Sequence, residues 1–412
     1  MLDPMQRWFE DARYGLFVHW GIYALYERGE QVLFREHLRP AAYRERAADF
    51  TAPLYDPREW AALAREGGMR YAVLTAKHHD GFCLFDSQVS DFTSVKTGAG
   101  RDLVAEYVTA FREAGLRVGL YYSLADWQWP AYFEGAQKDP AGFEAFVDYI
   151  HAQVRELCSN YGSLDIMWFD GSWPHDAEAW RAEELFAMIR GLQPHILIND
   201  RACLPGDFDT PEQRILGAGP DRPWESCVTS VERHWGYHAG ERLWKVPERI
   251  IHILAQVAEG GGNLLLNVGP RADGTFPQRF VDLVREVGDW LKVNGEAIYG
   301  SKPGVCECIS IGRMAVVDST VYLHVLYWPG HTLHLSGLAN PVHSARFVAD
   351  DWPIDFVQEG EHIYLRNLPT LPPDPRDTVI ALEIEGVPEA LPWAKDRLWQ
   401  GDASRMVSWA KS

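Results

Sequence analysis

The chain has 412 residues, of which 47% are hydrophobic and 13% aromatic, so it can bury a large core and is expected to hold two domains. Its formal net charge is −19, from 39 lysine and arginine residues against 58 aspartate and glutamate residues. A surface of that sign repels polyanions, which argues against a nucleic-acid partner and favours a neutral or cationic small substrate.

Short apolar runs that end in polar residues alternate with helical segments from the N-terminus to about residue 300. The expected strands are Tyr14–His19, Tyr71–Ala76, Arg117–Tyr122, Asp165–Phe169, His195–Ile198, Ser226–Thr229 and Asn263–Val268. The expected helices are Asp102–Ala114, Phe143–Cys158, Ala177–Leu192, Glu248–Glu259 and Arg279–Asn294. This alternation is typical of a parallel α/β architecture, in which seven strands can be counted and an eighth is not obvious. A doubly wound sheet is disfavoured, because no glycine-rich turn follows the first strand.

The pattern changes to two-residue alternation after Ser301-Lys302-Pro303-Gly304. The expected strands here are Arg313–Val317, Thr320–Tyr327, Thr332–Leu335, Ser344–Phe347, His362–Arg366 and Thr378–Glu383. Short strands at this spacing predict a β-sandwich, so we place a domain boundary between residues 302 and 303. The tail Leu391–Ser412 carries three tryptophans and either packs back on the body or forms a contact surface.

Polar side chains follow the expected strands of the first domain. They are His19-Trp20, Lys77-His78-His79-Asp80, Tyr121-Tyr122-Ser123, Asp170-Gly171 and Asn199-Asp200-Arg201. In an α/β barrel the carboxyl ends of the strands form the substrate-binding rim. Imidazoles, carboxylates, an arginine and aromatic rings together are typical of a sugar site, since sugars need hydrogen bonds to their hydroxyls and a flat cover on their apolar face.

Asp170 follows the apolar run Ile166–Phe169, which would carry its carboxylate into a partly dry cleft. The alternative is a plain turn, because Asp-Gly is a common turn pair. His78 and His79 would point to opposite sides if their strand continued, which makes a metal pair on one face unnatural. A metal site, structural histidines and hydroxyl binding remain open for them, as structure and function do for His19.

Glycoside cleavage with retention needs a nucleophilic carboxylate and a second carboxyl that works as acid and then as base. Asp170 is the candidate nucleophile. The candidates for the second group are Glu225 in PWESC, Glu212 in TPEQR and Glu30 in RGEQ. Glu225 is preferred, because it is placed at the rim of the sixth strand beside Trp224, whose apolar ring would raise a carboxyl pKa.

Other catalytic classes lack their motifs. Gly260-Gly261-Gly262 precedes a strand and has no GK[ST] ending, which excludes a phosphate loop, and no GxSxG elbow is present. Six cysteines are too few for a disulfide scaffold, and Cys306-Glu-Cys308 lacks zinc-knuckle or thioredoxin spacing. With no apolar run near ~18 residues and no signal-like N-terminus, we expect a cytoplasmic protein with reduced thiols and no membrane partner.

Seven motifs carry a resemblance to a known family. They are RYGLFVHWGIYAL, YAVLTAKHHDGF, VGLYYSL, DIMWFDGSW, NDR, PWESC followed by HWGYH, and GGNLLLNVGPRADGTFP. In order and spacing over roughly residues 8–300 they resemble the α-L-fucosidases of glycoside hydrolase family 29. The resemblance implies a somewhat irregular (β/α)8-like TIM barrel followed by a C-terminal β-sandwich. It also implies retaining hydrolysis of α-L-fucosides through a covalent intermediate, with fucosylated oligosaccharides or glycosides as substrates and no metal or other cofactor.

The resemblance also assigns roles to single residues. Asp170 matches the nucleophile. His19, His78, His79 and Tyr122 match positions that hold fucose hydroxyls, Tyr122 being preferred over Tyr121, and Trp235 and Arg214 match further residues of the site. Glu225 matches the acid/base of one branch of the family, with Glu212 as the fallback.

One departure concerns the pocket wall. Relatives often have Gly-Glu-Trp where this sequence has Gly29-Glu30-Gln31, so the tryptophan is missing or replaced by Trp127, Trp129 or Trp173. Phe17, Trp235 or Phe82 could receive the C5 methyl group of fucose. The alternatives are a retaining glycosidase for another sugar, such as an α-galactoside, and a non-catalytic carbohydrate-binding protein.

Overall fold

The computed structural model describes residues 5–215, 222–305 and 311–391. Its contacts divide the chain into two compact units, one formed by Met1–Lys245 and Asn263–Glu286 and the other by Val246–Gly262 and Val287–Ser412. The Cys306-Glu-Cys308 motif and residues 392–412 of the tail lie outside the described residues. The domain boundary between residues 302 and 303 stays a prediction.

A seven-stranded parallel sheet organises the first unit. Its strands are β1 Tyr14–Val18, β2 Tyr71–Lys77, β3 Arg117–Ser123, β4 Ile166–Asp170, β5 Leu197–Ile198, β6 Glu225–Thr229 and β7 Asn263–Val268. They are ordered β5-β4-β3-β2-β1-β7-β6 and every pair is parallel. The predicted parallel α/β architecture and its seven strands are confirmed, and no strand bound is shifted by more than two residues.

Helices connect these strands. They are α1 Trp8–Ala12, α2 Val32–Arg35, α3 Pro40–Glu45, α4 Pro57–Glu66, α5 Leu103–Glu113, α6 Pro130–Lys138, α7 Pro140–Asn160, α8 Ala182–Leu192, α9 Pro247–Gly260 and α10 Gln278–Asn294. Short 3₁₀ turns lie at Ile22–Tyr26, Arg46–Asp49 and Gly295–Ala297. α5 begins where the sequence predicts, because the Asp102 side chain accepts a hydrogen bond from the Ala105 N–H and so caps the first turn.

Large apolar side chains fill one face of the parallel sheet. This cluster contains Phe9, Ala12, Phe17, Tyr71, Val73, Tyr121, Ile166, Trp168, Leu197, Phe208, Cys227 and Leu265. Burying a side chain of this size contributes about 1.5–3 kcal/mol. Since Phe17, Tyr121, Trp168 and Cys227 also face the cavity described below, the core of the sheet is also the floor of the site.

An irregular segment, residues 207–213, runs between the edge strands β5 and β6. The Asp207 N–H donates to Ile198 O at 2.7 Å, and the Glu225 N–H donates to Asp209 O at 2.9 Å. Isolated parallel bridges join Asn199 to Phe208 and Glu212 to Cys227. The segment therefore hydrogen-bonds to both edges of the sheet without forming a regular strand, and it fixes the backbone of Glu212.

Antiparallel strands dominate the second unit. They are β8 Lys302–Pro303, β9 Gly312–Val317, β10 Thr320–Val325, β11 Leu333–Ser336, β12 Val342–Phe347, β13 Asp355–Glu359, β14 His362–Arg366 and β15 Thr378–Ile384. They form a five-stranded sheet, β12-β15-β10-β9-β8, and a three-stranded sheet, β11-β14-β13. One cluster holds buried side chains of both sheets, including Leu323 and Ile363. The six predicted strands are confirmed, whereas β8 and β13 were missed; β13 has no fully buried residue to reveal its period.

Candidate active site

A cavity of about 110 Å³ opens at the carboxyl ends of the parallel strands. Its walls are Phe17, His19, Glu30, Gln31, His78, His79, Tyr121, Trp168, Asp170, Trp173, Arg201, Glu212, Cys227 and Trp235. Of the eight residues predicted for the site, Asp170, His19, His78, His79 and Trp235 therefore meet here. Glu225, Tyr122 and Arg214 do not.

Asp170 is the last residue of β4, and its side chain is 14% exposed. Its Oδ2 accepts a hydrogen bond from the Tyr121 hydroxyl at 3.0 Å and lies 3.7 Å from His79 Nε2, and its Oδ1 lies 3.4 Å from Arg201 Nη1. Burial alone would raise the pKa of Asp170, but His79, Arg201, the Tyr121 hydroxyl and the Gly171 N–H together hold it below its ordinary value. The carboxylate is therefore ionised and fixed at the cavity floor.

The three histidines are buried around this carboxylate. β2 ends at Lys77, so His78 and His79 follow the strand and both face the cavity, with ring centroids 4.1 Å apart. His19 Nδ1 is 2.7 Å from Asn267 Oδ1, and His79 Nδ1 is 2.6 Å from Ser123 Oγ. Burial lowers the pKa of His19 to about 3 and that of His79 to about 4, and it lowers the pKa of His78 as well. The imidazoles are thus neutral at pH 7 and suited to exchange hydrogen bonds with hydroxyls.

Glu212 is the second carboxylate that reaches Asp170. Arg201 Nη1 contacts both, at 2.9 Å from Glu212 Oε2 and 3.4 Å from Asp170 Oδ1. The two oxygens are consequently no farther apart than the sum of these distances, which is compatible with the about 5–5.5 Å that separates the two carboxyl groups of retaining glycosidases. The guanidinium is held by Thr210, through Nε and Nη2 at 2.9 Å each, and it lies over the Trp168 ring.

Glu30 lines the opposite side of the cavity and is buried. Its Oε2 accepts hydrogen bonds from the backbone N–H groups of Trp235 at 3.0 Å and Gly236 at 2.9 Å. Burial raises its pKa, against the effect of these donors. The Trp235 ring lies 5.1 Å from that of His19 and 6.0 Å from that of Phe17, so this wall is apolar. Phe82, in contrast, packs against Phe50 and Phe92 and does not line the cavity.

The expected position of Glu225 at the rim is wrong. Glu225 is the first residue of β6, so it lies at the amino end of the parallel sheet, away from the cavity. It is fully buried, where it accepts hydrogen bonds from the Tyr71 hydroxyl and, at 2.9 Å, from Trp168 Nε1. Burial raises its pKa to about 7. A carboxyl enclosed in this way cannot reach a leaving group in the cavity.

The predicted positions of Tyr122 and Arg214 in the site are also wrong, because neither residue lines the cavity. The Tyr122 hydroxyl donates to Gln153 Oε1 of α7 at 2.7 Å, on the outer face of the sheet. Its neighbour Tyr121 faces inward instead, because strand side chains alternate. Arg214 is exposed and does not line the cavity, and its backbone oxygen accepts a hydrogen bond from Ser226 Oγ. Arg201, which follows β5 in the NDR motif, is the arginine that lies in the cavity.

The structure also bears on metal and membrane binding. Within the described ranges, no group of three or more His, Cys, Asp or Glu side chains could hold a metal ion. Across the same ranges, no helix is long and apolar enough to cross a membrane. The four cysteines that the structure describes, Cys83, Cys158, Cys203 and Cys227, are free thiols.

Known proteins match this chain over most of its length. The family description "Alpha-L-fucosidase" matches residues 2–296. The tissue alpha-L-fucosidase of Rattus norvegicus is 35% identical over 360 residues, covering 79% of this chain and 77% of the relative. This chain belongs to the α-L-fucosidase family. Members from Mus musculus and Dictyostelium discoideum are 31% and 32% identical, and they cover 92% and 79% of the chain.

Solved structures of the family have the same fold. Alpha-L-fucosidase isoenzyme 1 from Paenibacillus thiaminolyticus superposes with a TM-score of 0.87 at 38% identity, covering 93% of this chain and 99% of its own. A fucosidase from Bacteroides thetaiotaomicron, 26% identical with a TM-score of 0.87, was trapped as a covalent intermediate with 2-fluoro-fucosyl fluoride in a variant with one glutamate replaced by glutamine. It covers 94% of this chain and 97% of its own. The family's fold is thus shown for both units.

Proposed function

We propose that this chain, a retaining α-L-fucosidase, works by double displacement with Asp170 as the nucleophile and Glu212 as the acid/base. The observation that carries the assignment is the pair of carboxylates on one guanidinium nitrogen, 3.4 and 2.9 Å away, at the carboxyl edge of the sheet. The covalent intermediate of the Bacteroides thetaiotaomicron relative supports it, since that species requires a carboxylate or similar group bonded to the sugar.

In the first step Asp170 attacks the anomeric carbon of the α-L-fucoside. A bond forms between that carbon and a carboxylate oxygen as the glycosidic bond breaks, and Glu212 gives its proton to the departing oxygen. The Tyr121 hydroxyl and Arg201 fix the attacking carboxylate, which keeps it ionised and oriented.

In the second step water cleaves the β-linked fucosyl ester. Glu212, now ionised, accepts the proton of the water as its oxygen bonds to the anomeric carbon, and Asp170 leaves as the carboxylate. Two inversions restore the α configuration of the released fucose. Glu212 is suited to both steps because its side chain is 45% exposed and can be reached by water and aglycone.

The remaining cavity residues are proposed to hold the sugar. His19, His78, His79 and Glu30 supply hydrogen-bonding groups for the hydroxyls, while Phe17 and Trp235 supply the apolar wall for the C5 methyl group. An α-L-galactoside, which is the same sugar with a hydroxyl at C6, would bring that hydroxyl against the apolar wall, at a cost in hydrogen bonding. A non-catalytic sugar-binding role is not favoured, since it leaves the paired carboxylates without a purpose.

Finer features of the fold are likewise proposals. We infer that segment 207–213 takes the place of an eighth strand and closes the parallel sheet into a (β/α)8-like barrel, as its hydrogen bonds to both edge strands suggest. The two antiparallel sheets, which share one apolar cluster, are proposed to form a β-sandwich. A cytoplasmic location and independence from cofactors also remain proposals from the sequence.

The nucleophile is tested with Asp170→Gly. We expect it to lose nearly all turnover of aryl α-L-fucosides while still binding fucose. Azide should restore turnover by entering the vacated space, and the product should be the β-L-fucosyl azide, which NMR identifies from its anomeric proton. Wild-type turnover by Asp170→Gly, or α-configured azide from it, would refute the assignment.

A further inference from the structure

Three aromatic rings, those of Phe34, Trp127 and Trp173, lie beside His79 of the cavity, two in contact with it and Phe34 in contact with Trp127, and we call them the aromatic rim. The His79 ring centroid lies 5.2 Å from that of Trp127 and 5.5 Å from that of Trp173, and Phe34 lies 5.2 Å from Trp127. Phe34 belongs to α2, Trp127 to the loop after β3 and Trp173 to the loop after β4. Three separate connections therefore bring flat rings to one place.

The rim is exposed yet held in position. Phe34 is 52% and Trp173 55% exposed. The Tyr132 hydroxyl donates to the Trp173 carbonyl at 2.6 Å, and the Trp127 N–H donates to the His79 carbonyl at 2.8 Å. Single exposed aromatic residues are ordinary on protein surfaces, but contiguous ones beside a cavity mark a binding surface.

Polar groups accompany the rings at the same opening. Gln31 lines the cavity, and its Oε1 accepts a hydrogen bond from Arg35 Nε at 2.9 Å, so its amide group is held at this wall. Glu212 is exposed and lines the cavity together with Trp173. Flat apolar faces next to hydrogen-bonding groups match the two faces of a sugar ring: its C–H bonds and its hydroxyls.

We propose that the aromatic rim binds the aglycone, and that the aglycone it selects is a neutral pyranose stacked by its C–H face on Trp173 or Phe34. The proposal rests on the proposed function, because the glycosidic bond must lie between Asp170 and Glu212, and Trp173 of the rim lines the same cavity as these two carboxylates. An acyl chain would need an enclosed apolar groove, and the net charge of −19 disfavours an anionic aglycone.

The test compares two fucosides that share the fucosyl group. One is a fucosyl-N-acetylglucosamine disaccharide, and the other is methyl α-L-fucoside, which has no aglycone ring. For each variant, kcat/KM on the disaccharide is divided by kcat/KM on the methyl fucoside. This ratio, normalised to wild type, removes differences in leaving-group reactivity and in the amount of folded enzyme.

Trp173→Ala and Phe34→Ala should each lower the ratio by about two- to tenfold, the size of an aromatic stacking contact. Trp173→Phe should keep most of the wild-type ratio, because it retains a flat ring, and Trp173→Leu should not. Trp352→Ala is the control, since Trp352 is 66% exposed in the second unit, and it should leave the ratio at one.

Three outcomes would overturn the inference. The first is a ratio within twofold of wild type for both alanine variants, and the second is equal ratios for Trp173→Phe and Trp173→Leu. The third is a loss of kcat/KM in the alanine variants that appears only when a fucosylated serine peptide replaces the disaccharide as substrate. Failure of the proposed function is distinguishable from these, because in that case wild-type enzyme would release no fucose from either fucoside.

Discussion

Single substitutions of Glu212 and Glu225 distinguish a loss of acid/base catalysis from a loss of folding stability. Glu212→Ala removes an exposed side chain whose described hydrogen bond is to Arg201, so unfolding free energy should change by no more than about 0.5 kcal/mol. General acid/base catalysis contributes about 10²–10⁴-fold. The variant should therefore lose that factor, or about 3–5 kcal/mol of barrier lowering, on substrates with poor leaving groups.

Glu225→Ala should show the opposite profile. It leaves the Tyr71 hydroxyl and Trp168 Nε1 buried without their acceptor, at about 1–3 kcal/mol each, so we expect about 2–6 kcal/mol of lost stability. Its residual activity should fall by the same factor for good and poor leaving groups, because no proton transfer is lost.

The assay follows kcat/KM on dinitrophenyl and methyl α-L-fucosides with and without azide, alongside urea unfolding. For Glu212→Ala, azide should attack the fucosyl-enzyme and release the α-L-fucosyl azide, since it needs no base. Glu232→Ala is the matched control, because Glu232 is similarly exposed at 57%. The assignment fails if Glu225→Ala shows the leaving-group dependence and azide rescue while Glu212→Ala does not.

The other predictions concern the groups around the two carboxylates. Tyr121→Phe removes the donor to Asp170 and should lower kcat/KM about 10- to 100-fold, the worth of a hydrogen bond to a charged group, whereas Tyr122→Phe should cost about 1 kcal/mol of stability with kcat/KM near wild type. Steady-state kinetics and urea unfolding of the pair check this, and equal kinetic losses would contradict it. The pKa of Glu225 is raised from 4.5 to about 7 in the folded protein, so between these pH values the folded state holds a proton that the unfolded state releases. The free energy of unfolding of the wild type should therefore fall as pH rises from 4.5 to 7, by up to about 3 kcal/mol relative to Glu225→Gln. Parallel unfolding profiles of the two proteins from pH 4 to 8 would be inconsistent with that. The pKa of His79 is lowered from 6.5 to about 4, so the unfolded state takes up a proton first as pH falls. The free energy of unfolding should therefore drop between these pH values, by up to about 3 kcal/mol more in wild type than in His79→Asn. Urea unfolding at pH 7 and 4.5 measures this difference. An unchanged pH slope in the variant would argue against a neutral buried His79.

The hydrophobic pattern was sufficient for most of the parallel sheet and for the position of Asp170, the proposed nucleophile. Asp170 ends a strand whose preceding four residues are buried, so the pattern alone placed it at the carboxyl edge. The same rule places Glu225 away from the site, because it is the first residue of its strand and the amino ends of parallel strands face away from the site. The PWESC motif and the position in the strand thus point to different places for Glu225, and the strand position agrees with the structure.

The choice of Tyr122 over Tyr121 was an error of register. Tyr121 pairs with Trp168 and Ser123 pairs with Asp170 across β3 and β4, so residues 121 and 123 share the inward face with the nucleophile. Residues two apart in β4 share the face of Asp170, but the residues of β3 on that same face can be identified only if the pairing of the two strands is known. The sequence contains no marker of that pairing, so the face of β3 could be assigned only from the structure.

The acid/base was hard to place for a different physical reason. Glu212, the proposed acid/base, lies on a segment with no regular strand, where backbone hydrogen bonds to Ile198, Glu225 and Cys227 replace the apolar alternation that reveals a strand. Side chains in such a segment can be substituted without a change in its backbone path. The path depends on backbone N–H and C=O groups, and every residue except proline has both. The proposed nucleophile and the proposed acid/base therefore obey different constraints. Asp170 is tied to the packed core, whereas the residue at position 212 can vary with the aglycone without loss of the backbone path.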